Sequence, residues 1–336
     1  MTQFNIPVIE YACEKGGAQL PNPQKPFLVN DRQLVVSIVR SILTVNSGRT
    51  SRKYMAAIVK PTLQFLLDWN RAPNLSVSAD FFAVLRDFSE KLRIGELAQG
   101  VSYAYWKWQR GYTWIADFGP WAAGLTPPYK GKKSPDFIML NLITNDLAVM
   151  ESKGTGLNCP KSAMGKALRQ CKEAVAHPSF SRGYGSVLTL DSGNPNGVGT
   201  LHLRDPYKPA EVTDKLSYYV FRRSFASWFD LTGDDELADW CRQDFREDAD
   251  PQASVRQIPL RSRNRVSPLR TMTAAALGLD PESASFEIEP LFAQALGDFN
   301  VFKNALSTLG TRRAAIDEVS DRGSIIFPDG TSIVER

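Results

Sequence analysis

The sequence predicts a mixed α/β fold, and three observations predict it. Between Tyr112 and Leu203, short apolar runs bounded by Gly, Pro, Asn and Asp read as strands, interrupted by one helical stretch over Ser162–Ala176. On either side, apolar residues recur near the helical spacing of three and four. The chain has 336 residues, 43% hydrophobic and 23% charged, which is enough to bury a core in two or three structural modules. The expected organisation is an N-terminal arm and helical region over residues 1–92, an α/β core over 93–204, and a C-terminal helical region over 205–336 that ends in a β-hairpin.

Residues 1–30, rich in Pro, Gly and Asn, read as an extended arm. Asp31 then caps an amphipathic helix with Leu34, Val35, Ile38, Ile42 and Leu43 on one side, ended by Asn46-Ser47-Gly48. A second helix runs from about Ser51 to Trp69, bent or broken at Pro61, with Arg49, Arg52 and Lys53 clustered at its start. Ser78–Arg110 is one long helix or two short ones; Gly95 and Gly100 weigh against a continuous helix. Tyr112–Phe118 opens the core as its first strand, and a Gly/Pro-rich loop through Pro128 follows, closing on Lys130, Lys132 and Lys133.

Ser134–Leu140 is an almost continuous apolar run entered through Pro135, and Leu147–Gly154 alternates; Thr144-Asn145-Asp146 makes the turn between them. Side chains two apart on a strand share a face, about 6.5–7 Å from one another. Glu151 and Lys153 therefore project together, and Asp136 at the head of the neighbouring strand can converge on them. Two carboxylates suit a hard divalent cation, and an ammonium beside them suits a phosphate or an attacking water. The bland alternative is a solvated acid–lysine pair where a strand leaves the core. After the Ser162–Ala176 helix, Gly185–Leu190 and Gly199–Leu203 supply the remaining strands. From about Lys215, aromatic residues at helical spacing, Tyr218 to Phe245, read as core. Further helices follow near Leu269–Leu277 and Pro290–Leu309, with a basic loop at Arg261–Arg265 before them. A second Pro-Asp, Pro328-Asp329 followed by Gly330, reads as the tight turn of the terminal hairpin.

Pro135-Asp136, an interval of fourteen residues, and Glu151-Ser152-Lys153 together resemble the signature of the PD-(D/E)XK nuclease superfamily. The likeness covers about a third of the chain, residues 93–204. It implies a restriction-endonuclease-like mixed-sheet core with helices on both faces, and a Mg²⁺-dependent nuclease that accepts Mn²⁺ as a substitute. Asp136 and Glu151 would hold the metal with the backbone carbonyl of Ser152, and Lys153 would position or activate the attacking water. In that superfamily a helix ahead of the first core strand often supplies another acidic ligand, and Glu96 matches it. The helix after the motif often contributes a polar or basic residue. Gln170 matches the glutamine of the exonuclease-like branch, although Ala174 stands where that branch carries an aromatic. The resemblance further implies bacterial or mobile-element nucleic-acid processing, or defence against phage.

Charge distribution points the same way. Residues 93–204 carry thirteen Lys/Arg against seven Asp/Glu, whereas the rest of the chain has 27 against 29, within an overall net charge of +4. Lys132, Lys133, Lys166 and Arg169 are the candidate contacts to a nucleic-acid backbone, with Gln170 beside them. DNA is the expected partner ahead of RNA, with a homo-oligomer or a protein complex also open. Four cysteines without a C-x-x-C pair and only two histidines argue against a zinc site and against histidine-based nuclease chemistry. The absence of a secretory leader and of long apolar runs leads to an expected cytoplasmic location, away from membranes. No phosphate-binding or dinucleotide-binding glycine motif and no internal repeat occurs. The alternative function is a non-catalytic module that keeps the fold to bind nucleic acid or a partner protein.

Overall fold

The computed structural model describes residues 3–11, 21–42, 73–76, 87–125, 127, 129–131, 133–156, 159–177, 182–191, 197–204, 213–243, 250–262, 271, 274–275, 277–311 and 325–335. Gln3–Tyr11 (β1) and Pro21–Asn30 (β2) pair antiparallel. The expected extended arm is thus an integral part of a sheet. Phe4, Ile6 and Val8 are buried at the period of a strand, a signal obscured in the sequence by the proline-rich segment that follows.

Asp31–Ile42 (α1) begins one residue earlier than a cap at Asp31 requires. Asn30 Oδ1 accepts from Gln33 N at 2.8 Å, and Gln33 Oε1 accepts from Asn30 N at 3.2 Å, a reciprocal capping box with Asn30 as the cap. The expected end of this helix at Asn46–Gly48, the helix over Ser51–Trp69 and the Arg49/Arg52/Lys53 cluster lie outside the described residues. Asp87–Trp108 (α2) is one continuous helix through Gly95 and Gly100, the first of the two alternatives left open for Ser78–Arg110, of which residues 78–86 lie outside the described residues. A Cβ on Gly100 would lie 2.0 Å from Ile38 Cγ1 and 2.7 Å from its Cα, so only glycine lets α1 and α2 meet backbone to side chain here. The helix propensity lost at Gly100, about 1 kcal/mol, is offset by that packing.

Trp114–Asp117 (β3) runs directly into a short helix, Phe118–Ala122 (α3), where the sequence suggested a loop. Phe137–Asn141 (β4) and Asp146–Thr155 (β5) follow as the predicted hairpin, with Asn145 at φ 45° in its turn. Lys161–Val175 (α4), Arg182–Thr189 (β6) and Thr200–Arg204 (β7) complete the main sheet. Its strand order is β2-β1-β7-β6-β5-β4-β3. Strands β3, β4 and β5 form an antiparallel meander, whereas β5 and β6 are parallel. A parallel pair needs a crossover, and α4 supplies it.

The two faces of the sheet are told apart by its glycines. A Cβ on Gly183 would meet Cys171 at 2.7 Å and one on Gly185 would meet Met164 at 2.6 Å, so α4 lies on that face. A Cβ on Gly154 would meet Ile94 of α2 at 2.5 Å, and Ser186 Oγ lies 2.7 Å from Ser102 Oγ of α2, so α2 covers the opposite face. The mixed α/β architecture with helices on both faces is therefore as the sequence indicated.

Asp214–Thr232 (α5) and Asp235–Arg242 (α6) carry the aromatics read as core, and Tyr218, Phe221, Phe225 and Trp228 are buried as expected. Beyond them the C-terminal region holds more strand than foreseen. Arg261–Ser262 (β8), Ala284–Ile288 (β9), Ile325–Ile326 (β10) and Thr331–Glu335 (β11) form a second sheet in the order β10-β11-β9-β8. The terminal hairpin is its edge, and β9 was missed although Ser285-Phe286-Glu287-Ile288 alternates. The helix expected over Pro290–Leu309 is split into Pro290–Gly297 (α7) and Phe299–Thr311 (α8). Asp298 separates them by accepting from Asn300 N at 2.8 Å. Most of the Leu269–Leu277 stretch and residues 263–265 of the basic loop fall outside the described residues. Among the described residues no helix is long and apolar enough to cross a membrane.

The second Pro-Asp is structural, as its turn context suggested, and it is buried. Asp329 Oδ2 accepts from Lys107 Nζ at 2.5 Å, Trp228 Nε1 at 2.8 Å and Arg40 Nη1 at 3.0 Å. Burial opposes its charge, but Lys107 and Arg40 outweigh that and hold the carboxyl well below the usual range.

Candidate metal and phosphate site

Glu151 and Lys153 lie on the α4 face of β5, since Glu151 is in register with Gly185, whose missing side chain would strike Met164. Glu151 is fully buried and Lys153 is 32% exposed at the side chain, so the site reaches solvent on the lysine side. The Lys153 ammonium donates to Glu151 Oε1. Glu151 Oε2 is buried with no hydrogen-bond partner among the described residues. An orphaned carboxylate oxygen in the interior is costly unless something else coordinates it.

Asp136 heads β4 beside Glu151. Its Oδ2 accepts from Ser152 N at 2.8 Å and from Ser152 Oγ at 2.9 Å. Burial pushes the Glu151 carboxyl up from its ordinary 4.5 to about 7; the Asp136 charge adds to the rise, and Lys153 together with the Asp136 amide works against it. Two carboxylates and one ammonium thus stand near one another where β4 begins and β5 leaves the core.

The other candidates are placed differently. Glu96 sits on α2, on the far face, and its carboxylate accepts from Arg93 Nη1 at 2.8 Å. No group of three acids, histidines or cysteines gathers at metal-binding distance among the described residues, so Glu96 does not complete a three-carboxylate set here. Gln170 Nε2 donates to the Ser134 carbonyl at 3.0 Å, and Glu173 Oε2 accepts from Lys133 N at 3.1 Å. These bonds fasten the loop that delivers Asp136 onto α4, so Gln170 is engaged with the protein itself. The side chains of Lys133, Lys166 and Arg169 are exposed. Lys132 lies outside the described residues.

No protein-family model, curated protein or solved structure matches the chain. What the site does is therefore argued from its own geometry.

A hard divalent cation fits these residues on one specific observation: Glu151 offers a buried, unpartnered oxygen beside a second carboxylate. Mg²⁺ commonly takes one or two carboxylates and retains several waters, so a third acid is not required. Two features of the site escaped the sequence reading. The Ser152 hydroxyl reaches Asp136 although strand alternation assigns it to the opposite face, and the Cys171 thiol, pushed up by burial, lies near enough to Glu151 for that carboxylate to raise it further. Neither had a local sequence signal, because both contacts join residues far apart in the chain.

Proposed function

We propose that the chain is a metal-dependent nuclease that hydrolyses phosphodiester bonds, with DNA as its substrate, in bacterial or mobile-element DNA processing or in phage defence. The observation that carries this reading is the buried, orphaned Glu151 Oε2 beside Asp136, with Lys153 at the solvent edge. The order of parts supports it: a strand headed by Asp136, a hairpin, a strand bearing Glu151 and Lys153, and a crossover helix presenting Lys166 and Arg169 to solvent.

Asp136 and Glu151, with the Ser152 carbonyl, would hold Mg²⁺ or Mn²⁺. When bound, such a cation supplies charge stabilisation to a phosphoryl oxygen and lowers the pKa of water. Lys153 carries the remaining polar work. Its ammonium donates to the attacking water or to the non-bridging phosphate oxygens as negative charge develops on them. The exposed cations Lys133, Lys166 and Arg169 attract and align the phosphate backbone without reading sequence.

A second reading is favoured by the Lys153–Glu151 ion pair itself, which would serve equally in a module that binds nucleic acid or a partner without cutting. Plasmid nicking separates the two. The purified chain is expected to nick or degrade DNA with Mg²⁺ or Mn²⁺, to be silent in EDTA, and to lose activity in Glu151→Ala. Cleavage undiminished in EDTA, or retained by Glu151→Ala, removes the metal mechanism.

A further inference from the structure

We infer that Ser152 is a positioning residue that sets the Asp136 carboxylate for the metal, an inference that rests on the nuclease reading above. On a strand, the residue between two that share a face points to the other side and has no part in their site. Ser152 departs from this. Asp136 stands at the head of β4, and its carboxylate reaches Ser152, so that Oδ2 receives both the amide and the hydroxyl of this one residue at 2.8 and 2.9 Å. Ser152 is only 6% exposed, so both donors work away from competing water.

Two donors converging on one oxygen fix the plane of the carboxylate and commit Oδ2 to the protein. Oδ1 is then the oxygen that Asp136 has left for a metal, as Oε2, buried without a hydrogen-bond partner among the described residues, is that of Glu151. The carboxylate is held from the Ser152 side of the strand, while Glu151 approaches from the α4 side. Because the amide belongs to the backbone, the hydroxyl is the only part of this clamp that the residue type controls. A hydrogen bond to a charged group is worth about 1.5–3 kcal/mol, so losing the hydroxyl is expected to weaken divalent-ion binding about tenfold or more.

The test is Mn²⁺ titration followed by electron paramagnetic resonance, alongside thermal melting without metal. Ser152→Ala is expected to bind Mn²⁺ about tenfold more weakly while remaining folded, with a melting temperature lowered by no more than the one lost bond accounts for, and Ser152→Thr, which keeps the hydroxyl, to bind within about twofold of the parent chain. If alanine unfolds the protein, Ser152→Cys, similar in size but a poor donor, takes its place with the same expectation. Binding by Ser152→Ala equal to the parent, or binding by Ser152→Thr as weak as by Ser152→Ala, overturns the inference. A parent chain that binds no Mn²⁺ overturns the metal reading as well, so the two failures are distinguishable.

Discussion

Arg40 Nη1 donates to Asp329 Oδ2 at 3.0 Å with both side chains 1% exposed, joining the first helix to the last hairpin across 289 positions of sequence. Lys107 and Trp228 bind the same oxygen, and the Arg40 guanidinium lies 4.2 Å from the Trp228 ring centroid. One carboxylate therefore ties α1, α2, α5 and the second sheet together. Its partners are the buried Arg40 guanidinium and the Lys107 amine, whose pKa burial lowers to about 7, so removing it leaves the Arg40 charge uncompensated and drives the lysine neutral.

Asp329→Ala is accordingly expected to destabilise the chain by about 3–5 kcal/mol in urea or thermal unfolding. Asp136→Ala, at the other Pro-Asp, is expected to cost less without metal, because relief of its repulsion with Glu151 offsets part of the two bonds lost from Ser152. Two similar small effects would show that the buried cluster contributes little to stability.

The Glu151 carboxyl makes stability depend on pH. Its folded pKa of about 7 lies above its ordinary 4.5, so between these values the folded chain binds more protons than the unfolded chain. Stability contributed by this group is complete below about 4.5 and is lost as pH rises through 7. The shift corresponds to something on the order of 3 kcal/mol. Glu151→Gln, permanently neutral, should raise the metal-free melting temperature at pH 8 and change it little at pH 4.5. A lower melting temperature at pH 8 would identify the Lys153–Glu151 pair as a structural prop.

Asp136 contributes to that raised value through its charge. Asp136→Asn is therefore expected to lower the Glu151 titration from about 7 toward its ordinary value, as followed by carbon-13 NMR of labelled glutamate. An unmoved titration would mean that burial alone sets it.

Lys153 separates binding from chemistry. Lys153→Ala should keep Mg²⁺-induced thermal stabilisation while losing turnover by about 10²–10³-fold, the usual effect of removing one donor to developing charge. Asp136→Ala and Glu151→Ala should lose both together. Turnover retained by Lys153→Ala would return the lysine to a purely structural role.

Charge reversal at Lys166 and Arg169, or at Lys132 and Lys133, should weaken DNA binding and lower the steepness of its salt dependence by about two in the log–log slope. Folding should be unaffected, because Lys133, Lys166 and Arg169 are exposed. Identical slopes in the parent and both double variants would move the contact surface elsewhere on the chain.

Much of the main sheet was legible because its signals are local. The Pro135 entry, the Thr144–Asp146 turn and the alternation through Glu151 and Lys153 each lie within a few residues, and β4, β5, α4, β6 and β7 follow from them to within a few positions. Long-range contacts were not legible. That Gly100 permits a helix crossing, rather than breaking a helix, depends on Ile38, sixty-two positions away. Strand β1 could be recognised from Phe4, Ile6 and Val8, but its place beside β7 is a pairing of distant backbone that side-chain periodicity does not encode.

The residues Asp136, Glu151 and Lys153 were determined as candidates by the sequence itself, since their chemistry and their spacing on paired strands require no knowledge of the rest of the chain. Only the tertiary structure decided what surrounds them. Burial of Glu151 beneath α4, the attachment of Asp136 to Ser152, and the placement of Glu96 on the opposite face arise from how the sheet and helices close on one another. Protonation and coordination depend on that enclosure, because the cost of a charge is set by the atoms packed around it and not by its neighbours in the chain.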